Sequence, residues 1–229
     1  MKLTVLVPVY NERETILQAI NNAKLIPVPE KEIIVIDNFS NDGTKELLKN
    51  LNDHSITIIF HDQNYGAGKS IGDGIKMARG EYIYVYHSDV EYDYRDAEKM
   101  LDMAEKGHYD AVLGSRLKNR GDSIFNMLSQ RPEYAATIIA TALVNRWYSK
   151  NFSDIIGSKL YRTAAVKNNP INTYGPGFDF EHVSRMCKRG LKMAEVAINF
   201  TPRAFGKKKI KFYNMINAMV SLIEVRIFG

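Results

Sequence analysis

Tyr84-Val85-Tyr86-His87-Ser88-Asp89-Val90-Glu91-Tyr92-Asp93 is an apolar strand pattern that ends abruptly in closely spaced carboxylates. In an extended chain, alternate residues point the same way, so His87, Asp89 and Glu91 would share one face and present an imidazole and two carboxylates together. Such oxygen-rich clusters suit Mg²⁺ or Mn²⁺, which complete their coordination with substrate phosphates and water. The plainer alternative is a solvated acidic turn that starts the next helix.

Upstream, short buried strands are expected at Leu3 to Pro8, Glu32 to Ile36, Ser55 to Phe60 and Glu81 to Tyr86, followed by Asp110 to Leu113. Helical stretches separate them at about Glu12 to Lys24, Asp42 to Leu51, Ala67 to Ala78 and Tyr94 to Glu105. Alternation of this kind implies an α/β fold with a mostly parallel sheet flanked by helices on both faces. Ligands in such sheets sit beyond the carboxyl ends of the strands. Polar or glycine-bearing loops fall at those ends: Tyr10 to Glu12, Asp37 to Gly43, His61 to Gly68 and the acidic run. Four such loops on one edge point to a nucleotide or another phosphorylated ligand.

Beyond Gly114-Ser115-Arg116 the pattern loosens. A loop is expected at Lys118 to Gln130, helices at Pro132 to Tyr148 and Phe178 to Arg189, a strand at Met193 to Phe200 and a final helix at Tyr213 to Phe228. The chain has 229 residues, enough for one large domain with a C-terminal extension. Its single cysteine, Cys187, excludes an intrachain disulfide framework and fits a reducing compartment. Met1-Lys2 runs straight into a first strand, so the N-terminus reads as part of the fold rather than as a leader. No stretch reaches the roughly 20 apolar residues that span a bilayer.

Lys and Arg total 31 against 26 Asp and Glu, a net charge of +5, and the excess gathers in the C-terminal third. Lys207-Lys208-Lys209-Ile210-Lys211 precedes a helix whose polar residues Asn214, Asn217, Ser221 and Glu224 form one narrow stripe in an otherwise apolar surface. That pattern fits a helix lying on an anionic membrane interface, or one packed against the domain or a second subunit.

Several stretches together resemble family 2 glycosyltransferases of GT-A fold, in the polyprenyl-phosphate (dolichol-phosphate) mannosyltransferase-like branch. They are Val7-Pro8-Val9-Tyr10-Asn11-Glu12, Ile36-Asp37-Asn38-Phe39-Ser40-Asn41-Asp42-Gly43-Thr44, Asn64-Tyr65-Gly66-Ala67-Gly68-Lys69, the acidic run, Gly114-Ser115-Arg116, Gly177-Phe178-Asp179-Phe180-Glu181, and Pro202-Arg203-Ala204-Phe205-Gly206 with Lys207 to Lys209. The resemblance covers nearly the whole chain and rests on order and spacing. It implies a Rossmann-like GT-A domain over 1–205, with a nucleotide-sugar half at 1–116 and an acceptor half at 117–205, then a basic segment and amphipathic helix at 206–229.

It also implies an inverting transferase that moves a hexose from GDP-mannose or UDP-glucose to a polyprenyl or dolichyl phosphate at the cytoplasmic face of a membrane. Alternatives are transfer to a glycan or protein hydroxyl, and a non-catalytic nucleotide-sugar-binding protein. No nucleic acid is expected as a partner, and an oligomer is compatible with the sequence. By this resemblance Pro8, Tyr10, Asn11, Glu12, Asp37, Gly68, Lys69, Ser88, Asp89 and Arg116 line the nucleotide-sugar site, Asp37 binding the base. Asp89, Glu91 and His87 would hold Mg²⁺ or Mn²⁺. The family's first acid in that run is replaced by His87, and imidazole suits Mn²⁺ better than Mg²⁺. Arg116 and Arg203, with Lys208 or Lys209, would neutralise phosphates, and Asp89, Glu181 and Arg203 would carry catalysis.

Asp42-Gly43-Thr44 reads as a helix start with Asp42 near the cap. Gly66, Gly68 and Lys69 would bring backbone amides close to phosphate or ribose. They do not make a P-loop, because Gln63 stands where its first glycine would be. A hydroxyl acceptor needs a general base, for which Asp179 or Glu181 is the candidate; a lipid phosphate is already anionic and needs none.

Overall fold

The computed structural model describes residues 1–118, 134–168, 171, 175, 177–201 and 212–228. Its centre is β1 (Leu3–Val9), apolar but for Thr4 and buried on both faces, as a parallel-sheet interior demands. On one side β1 pairs in parallel with β2 (Lys31–Asp37), in register from Leu3 with Lys31 to Val9 with Asp37, and β2 pairs in parallel with β3 (Ile56–Phe60). On the other side lies parallel β4 (Tyr82–Val85). Next comes β6 (Lys159–Arg162), antiparallel to both β4 and β5 (Ala111–Ser115), and β7 (Met193–Ala197) runs parallel to β5 at the edge. Among the described residues the sheet has seven strands in the order β3-β2-β1-β4-β6-β5-β7.

The strand period of two divides the core. Leu3, Val5, Val7, Ile33, Val35 and Tyr84 face α1 (Ile16–Leu25), α2 (Thr44–Lys49) and α4 (Asp96–Gly107), which follows β4. Leu6, Ile34, Ile36, Ile83 and Val85 face α3 (Ala67–Met77), α5 (Tyr134–Tyr148) and α7 (Phe178–Lys188). The short α6 (Thr163–Lys167) follows β6, and α8 (Phe212–Phe228) packs its Leu222 into the second layer.

The α/β reading and its mostly parallel sheet stand. Strand β6 and helix α6 are additions to the sequence expectations. Where β5 meets β6 the backbones nearly touch: a Cβ at Gly157 would lie 1.9 Å from the Gly114 carbonyl oxygen, so only glycine fits. The loop expected at 118–130 lies, apart from its first residue, outside the described residues.

Because β1 to β4 are parallel, their carboxyl ends bring Tyr10 to Glu12, Asp37 to Gly43, His61 to Gly68 and the acidic run to one edge.

Candidate active site

The first two loops are latched together. Asn11 has φ 52, a left-handed conformation that asparagine tolerates. Its backbone N–H donates to Ser40 Oγ at 2.9 Å, its side-chain amide donates to Asn41 Oδ1 at 3.0 Å, and its Oδ1 accepts the Asn41 N–H at 2.8 Å. Glu12, buried, donates its N–H to Thr44 Oγ1, and Arg13 donates its N–H to Asp42 Oδ2. Asp42 also accepts from the Thr44 N–H. Burial alone would raise its carboxyl, but these donors outweigh it and hold it below the usual range.

Asp37 is fully buried and accepts the Ser40 N–H at 3.2 Å. The neighbouring Asn38, which the motif reading passed over, carries the connection to the third loop. Its Nδ2 donates to Asn64 Oδ1 at 2.8 Å, and its Oδ1 accepts the Tyr65 N–H at 3.0 Å and lies 3.0 Å from His61 Nδ1. His61 Nε2 lies 3.3 Å from Asp73 Oδ2. Gly66, at φ 91, caps α3, where Gly68 is buried. Lys69 is ion-paired with Asp73 one turn along its own helix, and its ammonium lies 5.7 Å from the Tyr65 ring centre. It therefore reaches the cleft as half of a pair rather than as an unbalanced cation.

The acidic run departs from the expected geometry. After β4, Tyr86 donates its N–H to the Leu6 carbonyl, and Ser88 Oγ donates to the Pro8 carbonyl at 2.9 Å, fastening this loop to β1. The chain then turns: the Val90 N–H donates back to the His87 carbonyl, and Val90, a β-branched residue, has φ 53. Glu91 leaves the turn by pairing with the 199–201 segment, its carbonyl accepting the Thr201 N–H at 2.8 Å. His87, Asp89 and Glu91 thus do not alternate along an extended strand, because a left-handed residue intervenes. Among the described residues no three His, Cys, Asp or Glu side chains are gathered for a metal. The His87 ring packs 5.0 Å from Tyr92, and desolvation holds its imidazole below the usual range, keeping it neutral.

Arg116, nearly buried at the end of β5, is engaged by a carboxylate. Its Nε and Nη2 clasp Asp154 at 2.7 and 3.1 Å, its own N–H donates to the same carboxylate, and Tyr134 and Phe200 flank the guanidinium at 5.0 and 5.7 Å. Desolvation opposes both charges, yet the pair's mutual attraction outweighs it, raising the guanidinium and lowering the carboxyl. A cation already balanced by a fully buried carboxylate is poorly suited to neutralise a diphosphate. The clasp holds the end of β5 against the 154–156 loop, and the phosphate role expected of Arg116 is left as a proposal.

On the other wall, a recess beside Val85 is lined by His87, Lys159, Tyr161, Phe178 and Asp179. Lys159, nearly buried in β6, is ion-paired with Asp179 and also donates to the Gly157 and Ile156 carbonyls at 2.9 and 3.1 Å. Glu181, 1% exposed, accepts from Arg185 Nε at 2.7 Å. Next to it His182 is fully buried against Tyr161, and among the described residues neither ring nitrogen has a hydrogen-bond partner. Arg203 and Lys207 to Lys209 lie outside the described residues.

Sequence reasoning placed Asn38 and His61 in ligand-facing loops without giving either a role, and it did not name Asp73, Asp154, Lys159 or His182. Only Asn38 and His61 carried a local signal, as polar residues at the ends of β2 and β3.

A model of the family described as Glycosyl transferase family 2 matches residues 4–169. Among curated proteins, the chain is 26% identical over 208 residues to Glycosyltransferase AglJ of Haloferax volcanii, covering 88% of this chain and 64% of that protein. It is also 26% identical over 235 residues to the undecaprenyl-phosphate 4-deoxy-4-formamido-L-arabinose transferase of Proteus mirabilis, covering 97% and 67%. The chain thus spans about two thirds of the length of these relatives. In three dimensions it is similar to S. aureus TarS 1-349 in complex with UDP-GlcNAc, with TM-score 0.66, 20% identity and coverage of 100% and 67%. It is similar as well to glucosyl-3-phosphoglycerate synthase from Mycobacterium tuberculosis in complex with Mn²⁺, UDP-glucose and phosphoglyceric acid, with TM-score 0.71, 16% identity and coverage of 98% and 79%. At these identities the structural likeness shows the fold.

Proposed function

Since the chain belongs to glycosyl transferase family 2, we propose that it is an inverting hexosyltransferase acting on a polyprenyl or dolichyl phosphate. The donor in this reading is GDP-mannose or UDP-glucose. The observation that carries it is the state of the two carboxylates expected to serve as base. Asp179 is ion-paired with Lys159, and Glu181, 1% exposed, with Arg185, so neither carboxylate is presented alone to an acceptor oxygen. A hydroxyl acceptor needs a proton acceptor at its oxygen. A phosphate monoester has a second ionisation near pH 6 and attacks as an anion without one. The name of the Proteus mirabilis relative, an undecaprenyl-phosphate transferase, supports the same acceptor class.

The donor lies across the edge formed by Pro8, Tyr10, Asn11, Glu12 and the loop after Asp37, with Gly68, Lys69 and Ser88 beside it. These roles, like the division into 1–116 and 117–205, belong to the proposal. The residues present fit a divalent metal brought in with the diphosphate. Mg²⁺ and Mn²⁺ are commonly held by one or two carboxylates plus phosphate oxygens, and the turn supplies the Asp89 carboxylate, which accepts the Glu91 backbone N–H at 3.4 Å. When bound, such an ion offsets charge on the departing diphosphate. The protein's own part is to fix the Asp89 turn through the Ser88–Pro8 bond and to anchor the acceptor wall through the Lys159–Asp179 and Glu181–Arg185 pairs. Arg203 and the following lysines are proposed to meet the phosphates.

Helix α8 supports a peripheral membrane position. Leu222 and Val225 are buried, while Val220, Ile223 and Ile227 are 48%, 44% and 61% exposed. Among the described residues no helix is long and apolar enough to cross a membrane. The packed and the lipid-facing readings of this helix therefore apply to opposite sides of it.

The Glu181→Gln variant tests the reading. A few-fold loss of kcat toward a polyprenyl phosphate is expected, whereas removal of a general base would cost about 10² to 10⁴.

A further inference from the structure

The loop that follows β2 carries an anomaly that neither the latch between loops nor the catalytic reading uses. Phe39 has φ 68, a left-handed conformation that glycine adopts without penalty and that is strained for a bulky side chain. The side chain is 43% exposed, so burial of its ring does not offset the strain. Nor can the loop relax easily. Asp37 accepts the Ser40 N–H, Asn38 is bonded to Asn64 and Tyr65, and Ser40 accepts from the Asn11 N–H, so the residues on both sides of Phe39 are held.

The ring is not alone. Phe60, the register partner of Asp37 at the end of β3, is also exposed, at 37%. The Lys45 ammonium, from α2, lies 5.7 Å from the Phe39 ring centre and 6.0 Å from that of Phe60. Two solvent-facing rings and a cation between them occupy the outer end of the same edge as Tyr10 to Glu12, tied to it through Asn11.

We propose that Phe39, Phe60 and Lys45 form a stacking platform for the base of the donor nucleotide, Phe39 being the residue that determines its affinity. This rests on the transferase reading above and deepens it. A nucleobase is the occupant that fits. Flat aromatic surfaces stack on a π-face whatever the base, and Lys45 complements an anionic nucleotide. Strain held at an exposed side chain next to a ligand edge is also the pattern expected where backbone geometry serves binding.

The test is calorimetric titration of the full chain with UDP and with GDP in the presence of Mn²⁺, and with inorganic pyrophosphate as a probe lacking a base. Phe39→Gly removes the ring and the strain together. The variant is expected to melt at the wild-type temperature or higher, to bind the preferred nucleotide roughly 10-fold more weakly, and to bind pyrophosphate as the wild type does. Phe39→Asn, which also tolerates positive φ, is expected to show the same loss. Unchanged nucleotide affinity in both variants, or equal weakening of nucleotide and pyrophosphate, would overturn the platform while leaving the transferase reading intact. A wild-type chain that binds neither nucleotide would overturn that reading and the platform with it.

Discussion

Replacing His182 with Phe should remove a large part of this protein's sensitivity to mild acid. The imidazole is fully buried, its nitrogens lack partners among the described residues, and it packs 5.1 Å from the Tyr161 ring. Burial first, and then the charges of Lys159 and Arg185, push its pKa from 6.5 down to about 3. The folded state therefore binds no proton at this site between those values, while the unfolded chain does. Stability from this group is fully present above pH 6.5 and falls as the pH drops toward 3. Proton linkage gives a loss of about 2 kcal/mol between pH 7.5 and pH 5 for a group shifted from 6.5 to 3. Phe keeps an aromatic contact with Tyr161, and any cost of its larger volume is independent of pH. Urea unfolding of both proteins at pH 7.5, 6 and 5 should show the variant gaining about 2 kcal/mol relative to wild type across the range. Parallel pH dependences would refute the reasoning, because they would mean that His182 is solvated or partnered in the folded chain.

The Arg116–Asp154 pair gives a second stability test: Asp154→Ala leaves a nearly buried guanidinium unbalanced and should cost about 3–5 kcal/mol in urea unfolding, with the further change Arg116→Met recovering part of it. Asp89→Asn should lower sugar transfer by about 10²-fold or more and abolish any difference between assays with Mn²⁺ and with EDTA, whereas equal wild-type rates in both would remove the metal from the account. Liposome flotation should pull down wild-type protein with anionic vesicles and release the Val220→Ser, Ile223→Ser, Ile227→Ser triple variant. Failure of the wild type to float would leave α8 as a packing helix alone.

The sheet was legible because β1, β2 and β4 are buried on both faces and so carry apolar stretches such as Val5 to Val9, Ile33 to Ile36 and Tyr82 to Val85, each followed by a polar loop. Strand β6 was not, since Lys159 and Arg162 at its ends leave only Leu160 and Tyr161 as an apolar signal. Its lysine is tolerated in the interior only because Asp179, 20 positions away, balances it. Separation in sequence likewise hid the pairing of Arg116 with Asp154, whose clasp joins positions 38 apart. The four polar loops do follow the carboxyl ends of parallel strands, as their place in the sequence implied, but their internal geometry was not legible. The alternation that put His87, Asp89 and Glu91 on one face assumes extended backbone, and a single left-handed valine cancels it. Phe39 likewise looks like an ordinary residue between Asn38 and Ser40 until its φ is seen.

The central claim is that the acceptor is a phosphate anion, attacking beside carboxylates that cations have already engaged. Its most direct test follows labelled hexose from GDP-mannose and UDP-glucose into the organic phase, with polyprenyl phosphate and the matching polyprenol offered separately across pH 5 to 8. The account predicts transfer to the phosphate and none to the alcohol, with a rate that rises as the phosphate takes its second charge near pH 6. Transfer to the alcohol, or a rate that follows the titration of a protein carboxylate instead, would contradict it.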